Sequence, residues 1–98
     1  MELGLDTILA QVDETPSVTL EGRAIVLGLS AGSYFHFNRT GTQIWRMLVE
    51  PSRVGLILDV LSQTHGVDAD LLKSDVTTFL RTLIDNRLVR VLNPAEHP

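Results

Sequence analysis

The chain is 98 residues long, 44% hydrophobic and 20% charged, the balance of one ordinary globular domain rather than a disordered tail. It holds no cysteine, which excludes disulfides and thiolate metal sites. The formal net charge of −4 argues against a phosphate-rich partner, because nucleic-acid affinity depends on Lys and Arg displacing counterions. A peptide partner is left open.

The first residues, "MELGLDTILAQVDE", have no basic region before an apolar run, so they do not read as a secretory signal. No apolar stretch approaches the roughly 20 residues that span a bilayer. The expectation is a soluble cytoplasmic protein with no membrane partner. Leu3, Leu5, Ile8, Leu9 and Val12 are too loosely spaced to define an element. Residues 1–14 are therefore expected to be an extension, packed on the domain or flexible. The domain itself is expected over 15–92, with 93–98 as a tail. After Pro16, "SVTLEGRAIVLGLSAGSYFHFN" is rich in β-branched and aromatic residues and twice interrupted by turn residues. It predicts three short antiparallel strands, at about 17–20, 23–29 and 33–37, with Glu21-Gly22 as the first hairpin turn.

Helical spacing follows. Thr40 with Gln43 fits a capping box, and Asn38 is the competing cap. Ile44, Trp45, Met47 and Leu48 form the apolar side of a first helix that Pro51 ends near Val49. Ser52 is expected to cap a second helix carrying Val54, Ile57, Leu58 and Leu61, stopped at His65-Gly66. Asp68 or Asp70 opens a third, with Leu72, Val76, Phe79, Leu80, Leu83 and Ile84, closed by Asn86. "RLVRVL" returns as a strand or an extended tail. The predicted fold is α+β, a three-stranded antiparallel sheet followed by three helices in a winged helix-turn-helix outline.

"GLSAG" at Gly28–Gly32 matches G-x-S-x-G, the pattern that holds a hydrolase serine. A nucleophile elbow needs a helix directly after the serine. Here "SYFHF" follows, which is strand chemistry, so Ser30 is expected in a plain turn. His36, His65 and His97 lack the spacing that brings two imidazoles to one metal, and the glycines fall at turns and caps. The sequence predicts no catalytic residues, no metal and no cofactor. A DNA-reading helix normally offers Arg, Lys, Asn or Gln. The third helix carries Asp68, Asp70, Asp75 and Asp85 against Lys73 and Arg81, which disfavours a nucleic-acid partner.

If the three strands pair in chain order, the third lies at the sheet edge. "SYFHF" has neither proline nor lysine to block another strand, so that edge either is covered or accepts a peptide by β-augmentation. It is equally able to pair two copies as a homodimer. Phe35 and Phe37 point to one face, expected towards the helices, and Tyr34 and His36 to the other. Val76, Phe79, Leu80 and Leu83 of the third helix fill the core or wall a groove beside this strand.

"SAGSYFHFNRTGTQIWRML" resembles the signature of PqqD-like proteins: a Gly before an aromatic strand, a hydrophobic-Asn pair, a small residue, then Ile-Trp. "VDADLLKSDVTTFLRTLIDNRLV" is similar to that family's closing segment. The resemblance implies a RiPP recognition element, a domain that binds the leader of a ribosomally made precursor peptide and presents it to modifying enzymes. It places the leader as a strand beside Ser33, Tyr34, Phe35, His36 and Phe37, against Val76, Phe79, Leu80 and Leu83. Lys73, Asp75 and Arg81 become charge partners for polar leader residues. The implied partner enzyme is a transglutaminase-like maturation protease of lasso-peptide systems, or a radical or other tailoring enzyme. "IW" and "GSYFHFN" look more like the lasso-type subunits than the pyrroloquinoline quinone type, from whose pattern "NRTG" departs.

Overall fold

The computed structural model describes residues 3–92. The expected tail at 93–98, with His97, lies outside them. Two three-stranded antiparallel sheets flank three helices. The first sheet has the order β2-β3-β4, from β2 (Ser17–Leu20), β3 (Arg23–Gly28) and β4 (Ser33–His36). The second has the order β5-β1-β6, from β1 (Ile8–Gln11), β5 (Ser52–Arg53) and β6 (Val89–Leu92). The helices are α1 (Arg39–Met47), α2 (Val54–His65) and α3 (Ala69–Asp85).

The first sheet is the predicted one. Glu21 and Gly22 both take positive φ, 54° and 79°, which matches the right-handed twist of the strands they join. The second hairpin closes where Gly32, at φ 65°, donates its N–H to the Gly28 carbonyl at 2.7 Å. Period-two alternation turns Ala24 and Val26 into the core and leaves Ile25 and Leu27 half-buried on the far face. Phe35 pairs with Val26 and so shares its inward face. The expected orientation of Phe35 and Phe37 holds: Phe37, just past β4, is 6% exposed and Phe35 packs against the core.

The second sheet adds to the expected outline. Residues 1–14, read as an extension that packs or frays, supply its middle strand, and Leu9 is fully buried. Ile8 pairs with Leu92 and Gln11 with Val89 on one side, and Leu9 pairs with Ser52 on the other. "RLVRVL" thus returns as a strand. The Gln11 N–H and Nε2 donate to the Leu48 and Trp45 carbonyls, both at 2.8 Å, lashing β1 to the end of α1.

Local chemistry fixes the helix ends. Asn38 is the α1 N-cap, its Oδ1 accepting from the Gly41 N–H at 2.7 Å, so the competition with Thr40 goes to Asn38. Ser52 does not cap α2. Its hydroxyl donates to the Met47 carbonyl at 2.9 Å, staying with the preceding helix, and Arg53 occupies the N-cap without a side-chain bond. Gly66 ends α2 in the left-handed conformation, φ 64°. Asp68 opens α3 by accepting from the Asp70 N–H at 2.9 Å, and Asn86 follows its last turn. The core joins Leu9, Val26, Ile44, Trp45, Ile57, Leu61, Leu80 and Leu83 into one apolar cluster. No helix among the described residues is long and apolar enough to cross a membrane.

Candidate functional site

β4 pairs with β3 and with no other described strand, so its far side is an open edge. The hydrogen-bond phase decides which residues offer main-chain groups there. The Phe37 N–H donates to the Ala24 carbonyl at 2.9 Å. In an antiparallel ladder bonded and non-bonded pairs alternate, so Phe35 and Ser33 also bond to β3. Tyr34 and His36 therefore turn their N–H and C=O groups outward. The Leu27 N–H donating to the Pro16 carbonyl at 2.9 Å agrees: the residues opposite Tyr34 and His36, Leu27 and Ile25, point their groups towards β2.

α3 meets the β4 hairpin at two points, taken in reverse order along the two segments. At one end Phe79 meets Phe37 edge to face, with ring centroids 5.2 Å apart. At the other end Asp85, Asn86 and Arg87 share a shallow polar depression with Ser30 and Ala31 of the hairpin loop. Beside the Phe37 end, a cleft of about 300 Å³ opens between the start of α1 and α3. Ile44, Leu72, Val76 and Phe79 supply its apolar walls and Asn38, Thr40 and Asp75 its polar ones. Gly41 sits between them because a Cβ there would lie 3.1 Å from Phe79 Cζ and 3.3 Å from Phe37 Cβ. Phe37 is held in turn by Trp45, 5.8 Å away and edge to face, and its carbonyl accepts from Arg23 Nε at 3.3 Å.

The structure separates the expected site residues. Ser33, Tyr34, Phe35 and His36 form the edge strand, and Val76, Phe79 and Asp75 line the cleft. Leu80 and Leu83 are fully buried core, set deeper than any groove wall. Lys73 and Arg81 occupy a depression with Asp70, Ser74, Thr77 and Thr78, away from the cleft. The i, i+4, i+8 spacing of Lys73, Thr77 and Arg81 puts them on one stripe, whereas Leu72, Asp75, Val76 and Phe79 form another. Sequence reasoning missed Asn38, Thr40, Gly41, Ile44 and Leu72 as lining. The signal available was Gly41 itself, a residue without Cβ in the first turn of a helix.

Ser30 is exposed in the β3–β4 turn and a strand follows it, which is the plain-turn reading. Among the described residues no three His, Cys, Asp or Glu side chains gather as a metal site.

Comparison with known proteins gives a family and a shared fold. The family model described as coenzyme PQQ synthesis protein D (PqqD) matches residues 23–89. The structure of TbiB1 in complex with the TbiA(beta) leader peptide is 28% identical, with a TM-score of 0.75, covering 83% of this chain and 94% of that one. The solution structure of the PqqD truncation of Methylobacterium extorquens PqqCD, described as a functional and stand-alone RiPP recognition element, has a TM-score of 0.73. Its identity is 14%, with 90% of this chain and 94% of that one covered, which shows a shared fold. No curated protein matches the chain.

Proposed function

Because the chain belongs to the PqqD family, we propose that it is a RiPP recognition element that captures a precursor's leader segment as an added strand on β4. The observation that carries this reading is the outward-facing main chain of Tyr34 and His36 beside the apolar cleft under Phe79. In β-augmentation main-chain bonds supply affinity and side-chain pockets supply choice; here Phe37, the residue after β4, meets Phe79 of the cleft wall. A leader as occupant is supported by TbiB1, a relative of 28% identity whose structure contains one. The wording of "IW" and "GSYFHFN" and the departure at "NRTG" favour lasso-peptide maturation over pyrroloquinoline quinone biosynthesis. The protein acts without catalysis, in the cytoplasm. It holds the precursor near a separate enzyme, a transglutaminase-like protease or a radical tailoring enzyme, and so raises their effective concentration.

The test is a fluorescence anisotropy titration with the labelled leader of a candidate precursor peptide, chosen by searching the genes around this one. Tyr34→Pro removes an outward N–H and leaves the β3 ladder intact, since edge strands accept proline where the N–H faces solvent. It should weaken the leader by about fivefold or more, the worth of one main-chain hydrogen bond plus the lost strand pairing. Phe79→Ser should weaken it as well. A folded Tyr34→Pro protein with unchanged affinity would remove the edge from the site.

A further inference from the structure

We propose that Asp75 gives the groove a charge preference, selecting leaders with a lysine or arginine next to the apolar residue that enters the cleft. The proposal deepens the leader-binding reading and rests on it. Asp75 is the charged residue in the cleft lining, and every other lining side chain is neutral. It is exposed at the rim, beside the apolar walls of Leu72, Val76 and Phe79.

Nothing described offsets its charge. The one ion pair among the described residues joins Arg53 to Asp6 at 3.7 Å, on β5 and the approach to β1. Lys73 and Arg81, the basic residues of α3, lie on the stripe that carries Thr77, in a separate depression. Arg23, whose Nε donates to the Phe37 carbonyl, and His36 share a depression with Leu20, Glu21, Ala24, Ile25 and Phe37, and neither lines the cleft. Arg39, next to Asn38 in sequence, is outside the cleft lining and pairs with no carboxylate. The far end of the groove contrasts with this, because Asp85 and Arg87 put both signs into one depression with Ser30. One end of the groove thus carries a single unopposed negative charge and the other carries none in balance.

On the leader-binding reading, a peptide that pairs with Tyr34 and His36 and also enters the cleft meets Asp75 at its lining. A cation there gains an unshared carboxylate next to apolar surface, where water screens less than in the open. An anion meets repulsion with no nearby base to relieve it.

The experiment selects a displayed library of random linear peptides on the full chain and on four variants. Phe79→Asp and Tyr34→Pro report groove occupancy in two independent ways, so one misfolded variant does not remove the control. Asp75→Asn and Asp75→Lys report charge; both alter an exposed side chain and leave the packed stripe alone. Peptides that need Phe79 or Tyr34 should show an excess of Lys and Arg at a fixed spacing from an apolar residue. Asp75→Asn should weaken their binding by about two- to fivefold at low salt, the range of an exposed ion pair, and Asp75→Lys should shift the excess to Asp and Glu. The same basic excess on all three forms of residue 75, or no basic excess on the wild type, overturns the proposal and leaves the groove standing. Recovery of no peptide that depends on Phe79 or Tyr34 overturns the leader-binding reading, and this proposal with it.

Discussion

Thr42 Oγ1 accepts the Ala24 N–H at 2.8 Å in a fully buried position, tying α1 to the strand that supports β4. Thr42→Val keeps the shape and removes the acceptor, leaving a buried donor unpaired. The cost is about 1–3 kcal/mol, to be read from the denaturant midpoint, with Thr42→Ser close to wild type. Gly28 is the second single-residue constraint: an added Cβ would lie 2.5 Å from Phe35 Cε2. Gly28→Ala must push the Phe35 ring off its seat, so stability should fall by about 1–3 kcal/mol, the usual range for overpacking. Sequence alone did not show either constraint. Thr42 reads as one more polar residue in a helix start, and Gly28 as part of a serine motif. Their roles depend on what lies across the fold. Asn38 was legible as one of two caps, and the choice needed the geometry of one hydrogen bond.

Among the elements, β4 and β1 show the two limits of pattern reading. The alternation of "SYFHF" located an edge strand and its inward face because one side of β4 is packed and the other is open, the condition under which period two is visible. Its bonding phase yields a parity test. Tyr34→Pro should leave the circular dichroism and thermal midpoint near wild type, while Phe35→Pro, which removes a bond to β3, should lower the midpoint clearly. A larger loss from Tyr34→Pro than from Phe35→Pro would reverse the phase assigned here. β1 was not legible. It is four residues long and paired on both sides, with Leu9 and Ala10 both buried, so no alternation marks it. Leu9→Ala should cost about 2–5 kcal/mol in chemical denaturation, as large as a central helix position, because β5 and β6 both depend on this strand. α3 was legible as an amphipathic helix, yet its apolar positions serve two purposes. Leu80 and Leu83 face the interior, and Leu72 and Phe79 are left half-covered at the cleft. A one-dimensional stripe does not distinguish depth.

At the scale of the whole molecule, the net charge of −4 and the acidic start of α3 disfavour duplex DNA despite the helical outline. Electrophoretic mobility of a duplex should stay unchanged by this protein at low salt, where nonspecific binding is strongest. The same molecule should dock a leader with weak salt dependence overall, because main-chain pairing and the cleft carry no net charge apart from Asp75. The short open edge has a further consequence for timing. Tyr34 and His36 offer about four backbone groups to a visiting strand. At a net worth of about 0.5–1.5 kcal/mol each, they supply only part of the roughly 8 kcal/mol that micromolar affinity requires; side chains in the cleft must supply the remainder. A complex of that strength dissociates within about seconds at ordinary association rates. On the proposed reading, residence that brief would let a single copy carry many precursors in succession, handing each one over and returning empty, so substoichiometric amounts of the protein should sustain full processing by the proposed partner enzyme.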